Sequence, residues 1–445
     1  MKQSKYNHIV EINQNKSALV NTLTGAVDIF SVEQLDYLDN NKDPSHNEVV
    51  QYLYKRQYLI DDDTDESYLT QQIFSAILQE QRRNTPLRGV IVTTFDCNLR
   101  CTYCWQQHNL NNSHRIKMTT GKIDGIFSSI EKLMSMVEYK KDTPPVIQLF
   151  GGEPLLVENK GLVEHILKEC QKRHWYSQIT TNGSQLSNFL DLFEKYDVGE
   201  IQITIDGPSE IHDKRRLGSS YKSLMESIDL LLQMDKVHVK LRVNTDLSNI
   251  DYIPAIAGDI IERQWYTNRK FFSYLSPLRD SSPDNVKLLN QRGTLISKFL
   301  NIREAYPQVE IFDVLGWNGF EAVKNLENTG RLPFPKAHIC DANMNQFVFT
   351  PRGEIHVCAE EAHDSSGMVG SYWPDFAVNK DSFSRWYDKN PLELQFCKNC
   401  SMLPQCCGGC QLFSQDKEFI SNFCDSVKAS FDYGLKNYFK SEGLI

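Results

Sequence analysis

No stretch of this 445-residue sequence is long and apolar enough to span a membrane. The opening residues, Met1-Lys2-Gln3-Ser4-Lys5-Tyr6-Asn7-His8, contain no apolar secretory core. Together these absences predict a cytoplasmic protein with no membrane partner. Positive charge is also in short supply. Against 57 Asp and Glu stand 48 Lys and Arg, a net charge of −9, so no general footprint for nucleic acid or an anionic membrane is expected. Dispersed surface charge accounts for the balance. Cysteine, by contrast, is plentiful, with twelve in two concentrations. A chain of this length without a secretion signal is a poor disulfide scaffold, so cysteines at motif spacing read better as metal or cluster ligands. The length allows two or three domains with sizeable cores.

The densest early stretch is Cys97-Asn98-Leu99-Arg100-Cys101-Thr102-Tyr103-Cys104, directly after the apolar run Gly89–Thr94. It too is defined by something missing. Three thiolates on one loop can hold three irons of a [4Fe–4S] cube, but zinc and ordinary electron-transfer clusters want four ligands. The bland alternative is three buried structural cysteines. The pattern C-x3-C-x2-C, with Tyr103 at the aromatic position, resembles the signature of the radical S-adenosylmethionine (SAM) superfamily. The resemblance implies that Cys97, Cys101 and Cys104 carry a catalytic cluster whose open iron binds the amino and carboxylate groups of SAM. Electron transfer into the sulfonium then releases a 5′-deoxyadenosyl radical.

Three domains are expected. Residues 1–85 begin with strand-like runs at 6–12, 18–20 and 29–30, followed by capping-box signals at Ser31/Gln34 and Ser45/Glu48. The acidic run at 61–66 then leads into a helix over 67–82, ended by Thr85-Pro86. Strands followed by short helices resemble the winged-helix, PqqD-like domain at the front of many radical SAM enzymes that modify ribosomally made peptides. Such domains bind a leader peptide as an added strand. A plain packing extension of the next domain is the alternative.

Residues 86–310 alternate strands, expected at 89–94, 146–150, 177–181, 200–205, 237–244 and 270–275, with amphipathic helices. This predicts parallel βαβ units. The fold class is therefore α/β, a partial (β/α)6 TIM-like barrel flanked by the winged-helix-like domain and a C-terminal cysteine-rich domain. Barrel active sites lie at the C-terminal strand ends, where several motifs fall. Gly151-Gly152-Glu153 follows the second strand, Asn182 the third and Thr204-Ile205-Asp206-Gly207-Pro208 the fourth, and Asn244 ends the fifth. Alone each reads as a turn. At these positions they resemble the superfamily's SAM contacts, with Glu153 receiving the amino group and Asn182 and Thr204 lining the ribose and carboxylate. Glycine at 151 and 152 would let backbone approach a ligand closely.

Residues 311–445 comprise a bridging region and a second cysteine cluster. Cys340-x12-Gly353-x4-Cys358 is followed by Cys397-x2-Cys400-x5-Cys406-x3-Cys410-x13-Cys424, with a hairpin expected around Pro351-Arg352-Gly353. This pattern resembles the SPASM extension of radical SAM enzymes. The resemblance implies two auxiliary [4Fe–4S] clusters, three clusters in all. Cys397, Cys400, Cys406 and Cys424 would ligate the outer one, and Cys340, Cys358 and Cys410 the inner one. The inner set is one ligand short; His338 or Cys407 could complete it, or the site stays open for a substrate thiolate. Cys170, in a helical run, reads as a buried hydrophobe.

The implied function is a peptide maturase that installs an intrapeptide thioether or carbon–carbon link, of the sactipeptide, ranthipeptide or cyclophane type. Its partners would be a precursor peptide with a leader and an electron donor such as flavodoxin or ferredoxin. The alternatives are sulfatase-maturase-like oxidation of a protein Cys or Ser, and peptide epimerisation. Sulfatase maturases carry an aspartate directly after the second SPASM cysteine, whereas here Cys358 is followed by Ala359, then Glu360 and Glu361. Position alone makes Glu360 the candidate base. A zinc-binding module or a ferredoxin-like carrier would account for some cysteines, but neither accounts for Gly151-Gly152-Glu153.

Overall fold

The computed structural model describes residues 1–39, 47–104, 106, 116–278, 291–314, 317, 319–338, 340–414 and 416–444. Six strands run parallel in sequence order: Arg88–Thr94, Val146–Gly151, Tyr176–Thr181, Glu200–Ile205, His238–Thr245 and Phe271–Pro277. Their side chains alternate as period two demands. Ile201, Ile203 and Ile205 are fully buried in the main core, while Gln202 and Thr204 line the opposite face. Helices cover the apolar face. In Thr120–Met134, the residues Ile123, Ile126, Phe127, Ile130 and Leu133 recur at helical spacing and are all buried.

The sheet is larger than the six expected strands. Asp313–Val314 adds in parallel beyond Phe271–Pro277, and Gln346–Phe349 adds in parallel beside Arg88–Thr94. Eight consecutive parallel strands therefore lie within an eleven-stranded sheet that three antiparallel strands complete. The hairpin expected near 346–358 forms, with Val348 opposite His356. However, its first strand belongs to the central sheet, in register Phe347↔Gly89 and Phe349↔Ile91. The reason is apolarity on both faces: Phe347 and Phe349 join the main core, and Val348 packs with Val90 and Val92 on the other side. Strands buried on both faces are those that parallel sheets take in.

Ahead of this sheet, Asn7–Asn13, Lys16–Asn21 and Ala26–Ser31 form an antiparallel meander. Ser31 and Gln34 make the expected capping box on Val32–Leu35. Ser45 lies outside the described residues; helix Glu48–Lys55 is capped by Asn47, whose side-chain oxygen accepts from the amides of Val49 and Val50. The next helix is Glu66–Asn84, with Asp65 as its N-cap. One face of the meander packs on Leu38, Val50, Leu53 and Tyr58. Val10, Ala18 and Val20 on the other face share a cluster with Phe419, Phe423 and Phe431 of the C-terminal helix Lys417–Ser441. His8 Nε2 lies 2.7 Å from Asp432 Oδ1 across the same contact. Among the described residues no helix is long and apolar enough to cross a membrane.

Candidate functional site

The Cys97–Cys104 loop follows the first parallel strand and is held from two sides. Arg100–Cys101 pairs antiparallel with Arg216–Leu217, and the Thr102 amide donates to Arg215 O at 3.0 Å. Tyr103 Oη accepts from Arg216 Nη1 at 2.8 Å and from Asn244 Nδ2 at 3.2 Å, which ties the loop to the end of the fifth strand. All three thiols are half-buried. Burial pushes the Cys101 thiol up to about 11 and raises that of Cys97, with the Arg216 charge opposing the rise at Cys101 and a Leu99 amide opposing it at Cys97. A metal bound here would therefore displace protons from thiols. Among the described residues no three His, Cys, Asp or Glu close to single-ion spacing. A cube, which gives each thiolate its own iron, does not require that spacing.

The Gly151-Gly152-Glu153 turn packs directly on this loop. The amides of Gly152 and Glu153 donate to Thr94 O and Asp96 O at 2.9 and 2.8 Å. A Cβ on Gly151 (φ +141°) would sit 2.3 Å from Thr94 O, and one on Gly152 would sit 2.1 Å from Asp96 O. Contact with the neighbouring loop thus calls for glycine at both positions, besides any approach to a ligand. Glu153 is buried, and desolvation raises its carboxyl against hydrogen bonds from Thr181, Asn182 and Leu155. Thr181 Oγ1 and the Leu155 amide donate to Oε1, and the Asn182 amide donates to Oε2. A carboxylate has about four acceptor positions, so one on Oε2 remains for an ammonium. Asn182 Nδ2 lies 3.7 Å from Cys97 Sγ and donates to Asn98 Oδ1 at 3.0 Å, so this side chain also braces the cysteine loop.

One cleft of about 490 Å³ collects the expected residues. Cys97, Cys101, Tyr103 and Cys104 line it together with Gly151, Gly152, Glu153, Asn182, Thr204, Asn244 and Glu360. Glu361 does not line it, and its Oε2 is buried without a partner. The donor set suits SAM beside a cluster: thiols on one wall, with a free carboxylate acceptor, hydroxyls and amides around them. Gln202, Arg216, Arg242 and Tyr274 also line the cleft and were not expected. The signal for Arg242 was period two: Lys240, Arg242 and Asn244 alternate with the buried Val239, Leu241 and Val243. Asp206 is fully buried and pairs with Arg215 at 3.3 Å and Arg216 at 3.9 Å, so it braces the loops.

The C-terminal cysteines fall into groups by mutual electrostatic influence. Burial pushes the Cys397 thiol up to about 11, with the charges of Cys424 and Cys400 adding to it; burial also raises Cys406, where Cys407, Cys400 and Cys397 add. Burial likewise raises Cys358, which feels Glu360 and Cys340. Cys410 lies on the turn after the short helix Leu403–Cys406. Of the two residues that could complete the inner set, Cys407 donates its thiol to Lys336 O at 2.8 Å and is thereby engaged. His338 faces Gln81 Oε1 through Nδ1 at 3.1 Å. Cys170 is buried in helix Lys160–Arg173, as expected.

Residues 91–244 match the sequence profile of the Radical SAM superfamily. The chain carries a radical SAM domain and is an enzyme; that domain supports SAM and a [4Fe–4S] cluster as its cofactors. Among relatives, it is 24% identical over 369 residues to the cysteine-type anaerobic sulfatase-maturating enzyme of Clostridium novyi, covering 76% of this chain and 92% of that protein. It is 26% identical over 328 residues to molybdenum cofactor biosynthesis protein 1 of Dictyostelium discoideum, covering 68% of this chain but only 46% of that protein. Two solved structures share the fold. Streptococcus suis SuiB bound to S-adenosylmethionine aligns with a TM-score of 0.53 at 15% identity, over 94% of this chain and 97% of SuiB. The sulfatase-maturating enzyme anSMEcpe, with AdoMet and the Cp18Cys peptide, aligns with a TM-score of 0.52 at 15% identity, over 81% of this chain and 100% of that chain.

Proposed function

We propose that the protein is a peptide maturase that installs a thioether or carbon–carbon cross-link in a ribosomally made precursor. The observation that carries this reading is the single cleft joining Cys97, Cys101 and Cys104 to Gly151–Glu153, Asn182, Thr204 and Asn244. When bound, the cluster and SAM supply a 5′-deoxyadenosyl radical that abstracts hydrogen from a substrate carbon. The protein's own part is positional. Glu153 Oε2 would accept from the ammonium of SAM, while Tyr103 and Asn244 fix the cysteine loop and Asn182 donates toward Cys97. Glu360, on the cleft wall, takes the substrate proton at its carboxylate.

Residues 1–85 serve as a winged-helix leader-recognition domain, 86–310 as a partial (β/α)6 barrel and 311–445 as the SPASM region. Among the described residues Ala26–Ser31 pairs with a strand on one side only, so its other edge would take the leader peptide as an added strand. The outer auxiliary cluster would be held by Cys397, Cys400, Cys406 and Cys424, and the inner one by Cys340, Cys358 and Cys410. A flavodoxin or ferredoxin would supply electrons.

A second reading, oxidation of a protein Cys or Ser, is favoured by Glu360, which puts a carboxylate in the cleft near Cys358 although Ala359 occupies the position directly after that cysteine. Mass spectrometry of a short precursor peptide co-expressed anaerobically with the enzyme separates the two. Loss of two hydrogens per site supports cross-linking, and thiol alkylation then separates thioether from carbon–carbon links. Conversion of a cysteine or serine to formylglycine supports the second reading. An unchanged mass with deuterium taken up from heavy water means epimerisation and contradicts both.

A further inference from the structure

The sheet face behind the cleft carries two cations that the proposed SAM site does not use. Along the fifth strand, Lys240 and Arg242 share a face with Asn244 and are half-buried. Arg242 lines the cleft, level with Thr204 on one neighbouring strand and with Tyr274 on the other. Lys240 lies one step of about 7 Å farther from the strand end, level with Gln202. Arg242 Nε donates to Asn244 Oδ1 at 2.8 Å, which holds the guanidinium against the cleft wall. Lys240 Nζ stands 5.4 Å from the centre of the Tyr274 ring, whose hydroxyl donates to Gln202 Oε1 at 2.9 Å. The nearby carboxylates Asp206 and Asp246 pair with Arg215 and Arg216 instead, and among the described residues no carboxylate forms an ion pair with Lys240 or Arg242.

Half-buried cations are costly unless negative charge joins them, and the guanidinium fork matches the two oxygens of a carboxylate. In the proposed site the open iron takes the carboxylate of SAM, so the anion that suits Arg242 comes with the substrate. We infer that Arg242 is a specificity residue that draws a carboxylate of the substrate peptide into the cleft, with Lys240 adding attraction from behind. The inference names a substrate class, peptides with a carboxylate near the reacting residue, and rests on the reading that the cleft takes a peptide. The chain's net charge is −9, so a preference for acidic peptides marks a local site and not a general attraction.

The probe is a library of random hexapeptides blocked at both ends, passed anaerobically over the immobilised, reconstituted full-length enzyme with SAM present. Retained peptides are sequenced by mass spectrometry, and a second library keeps its C-terminal carboxyl unblocked. Asp and Glu should be enriched about tenfold over Asn and Gln, the size expected of one charge-assisted contact. Enrichment of unblocked C-termini that depends equally on Arg242 makes the chain end the source of the carboxylate. Arg242→Gln should abolish the enrichment and Arg242→Lys should keep most of it, whereas general damage to the cleft lowers total retention without changing the ratio. Lys240→Gln should lower the ratio less. Equal recovery of acidic and amide residues by the parent enzyme overturns the inference while leaving the peptide reading intact. So does an enrichment that survives in Arg242→Gln while SAM affinity falls about tenfold, which gives the guanidinium to the carboxylate of SAM. Retention of neither library overturns the peptide reading, and the inference with it.

Discussion

Gly152 packs so closely on the Cys97 loop that a single methyl group forces the two apart. Gly152→Ala puts a carbon on Asp96 O, and neither backbone can yield without moving Glu153 or the cysteine loop. SAM affinity of the reconstituted enzyme, measured by equilibrium titration, should fall at least about tenfold, or ~1.4 kcal/mol; binding within twofold of the parent contradicts this account. His212 makes a second prediction. Burial, with the nearby Arg216 charge, pushes its imidazole down to about 3. Its Nδ1 faces the Asp206 amide at 3.4 Å, and Nε2 lies 2.9 Å from Ser219 Oγ. Because the unfolded chain binds a proton near pH 6.5 and the folded one does not, stability is full above that pH and declines as pH falls toward 3. From pH 7 to 5.5 the loss is about 1 kcal/mol in urea unfolding, and His212→Gln should remove that part of the slope. Identical slopes in the two proteins contradict the assignment. At this scale the sequence was legible where the residues of a site sit in one short stretch, as do Cys97, Cys101 and Cys104, which line one cleft. Pairings such as Tyr103 with Arg216 or with Asn244 join residues far apart in the chain and leave no mark in a window.

The six central strands were legible as elements because each is either a short apolar run, as Arg88–Thr94 is, or an alternation of buried aliphatic and polar residues, as at the start of Glu200–Ile205. The partners of Gln346–Phe349 were not. A hairpin turn announces its second strand but says nothing about the other edge of the first, which only the two-sided burial of Phe347, Val348 and Phe349 explains. The N-terminal meander shows the same limit. Its strands and the Ser31 cap could be read in sequence, whereas the packing of Val10, Ala18 and Val20 on the C-terminal helix could not. That packing covers one face of the meander, and the proposed leader-recognition role assigns the peptide to the edge at Ala26–Ser31. Hydrogen–deuterium exchange on the full-length enzyme should therefore slow at 26–31 when precursor peptide is added, while Asn7–Asn13 stays unchanged. Slowing at Asn7–Asn13 alone would contradict that placement.

Across the whole molecule, the parallel sheet brings chemistry from five strand ends to one place. The first strand supplies the thiols and the second the glycine turn; the third, fourth and fifth supply Asn182, Thr204 and Asn244. Glu360, from the cysteine-rich region, closes the same cleft because Gln346–Phe349 extends the sheet beside the cysteine loop's own strand. The central claim is that Cys97, Cys101 and Cys104 together make this cleft the place where SAM is cleaved. The most direct test replaces all three by alanine and measures 5′-deoxyadenosine release under a strong reductant, with iron and sulfide determined on the same sample. The account predicts that release falls to background while iron bound by the C-terminal cysteines is retained. Release at the parental rate from the triple variant would contradict it.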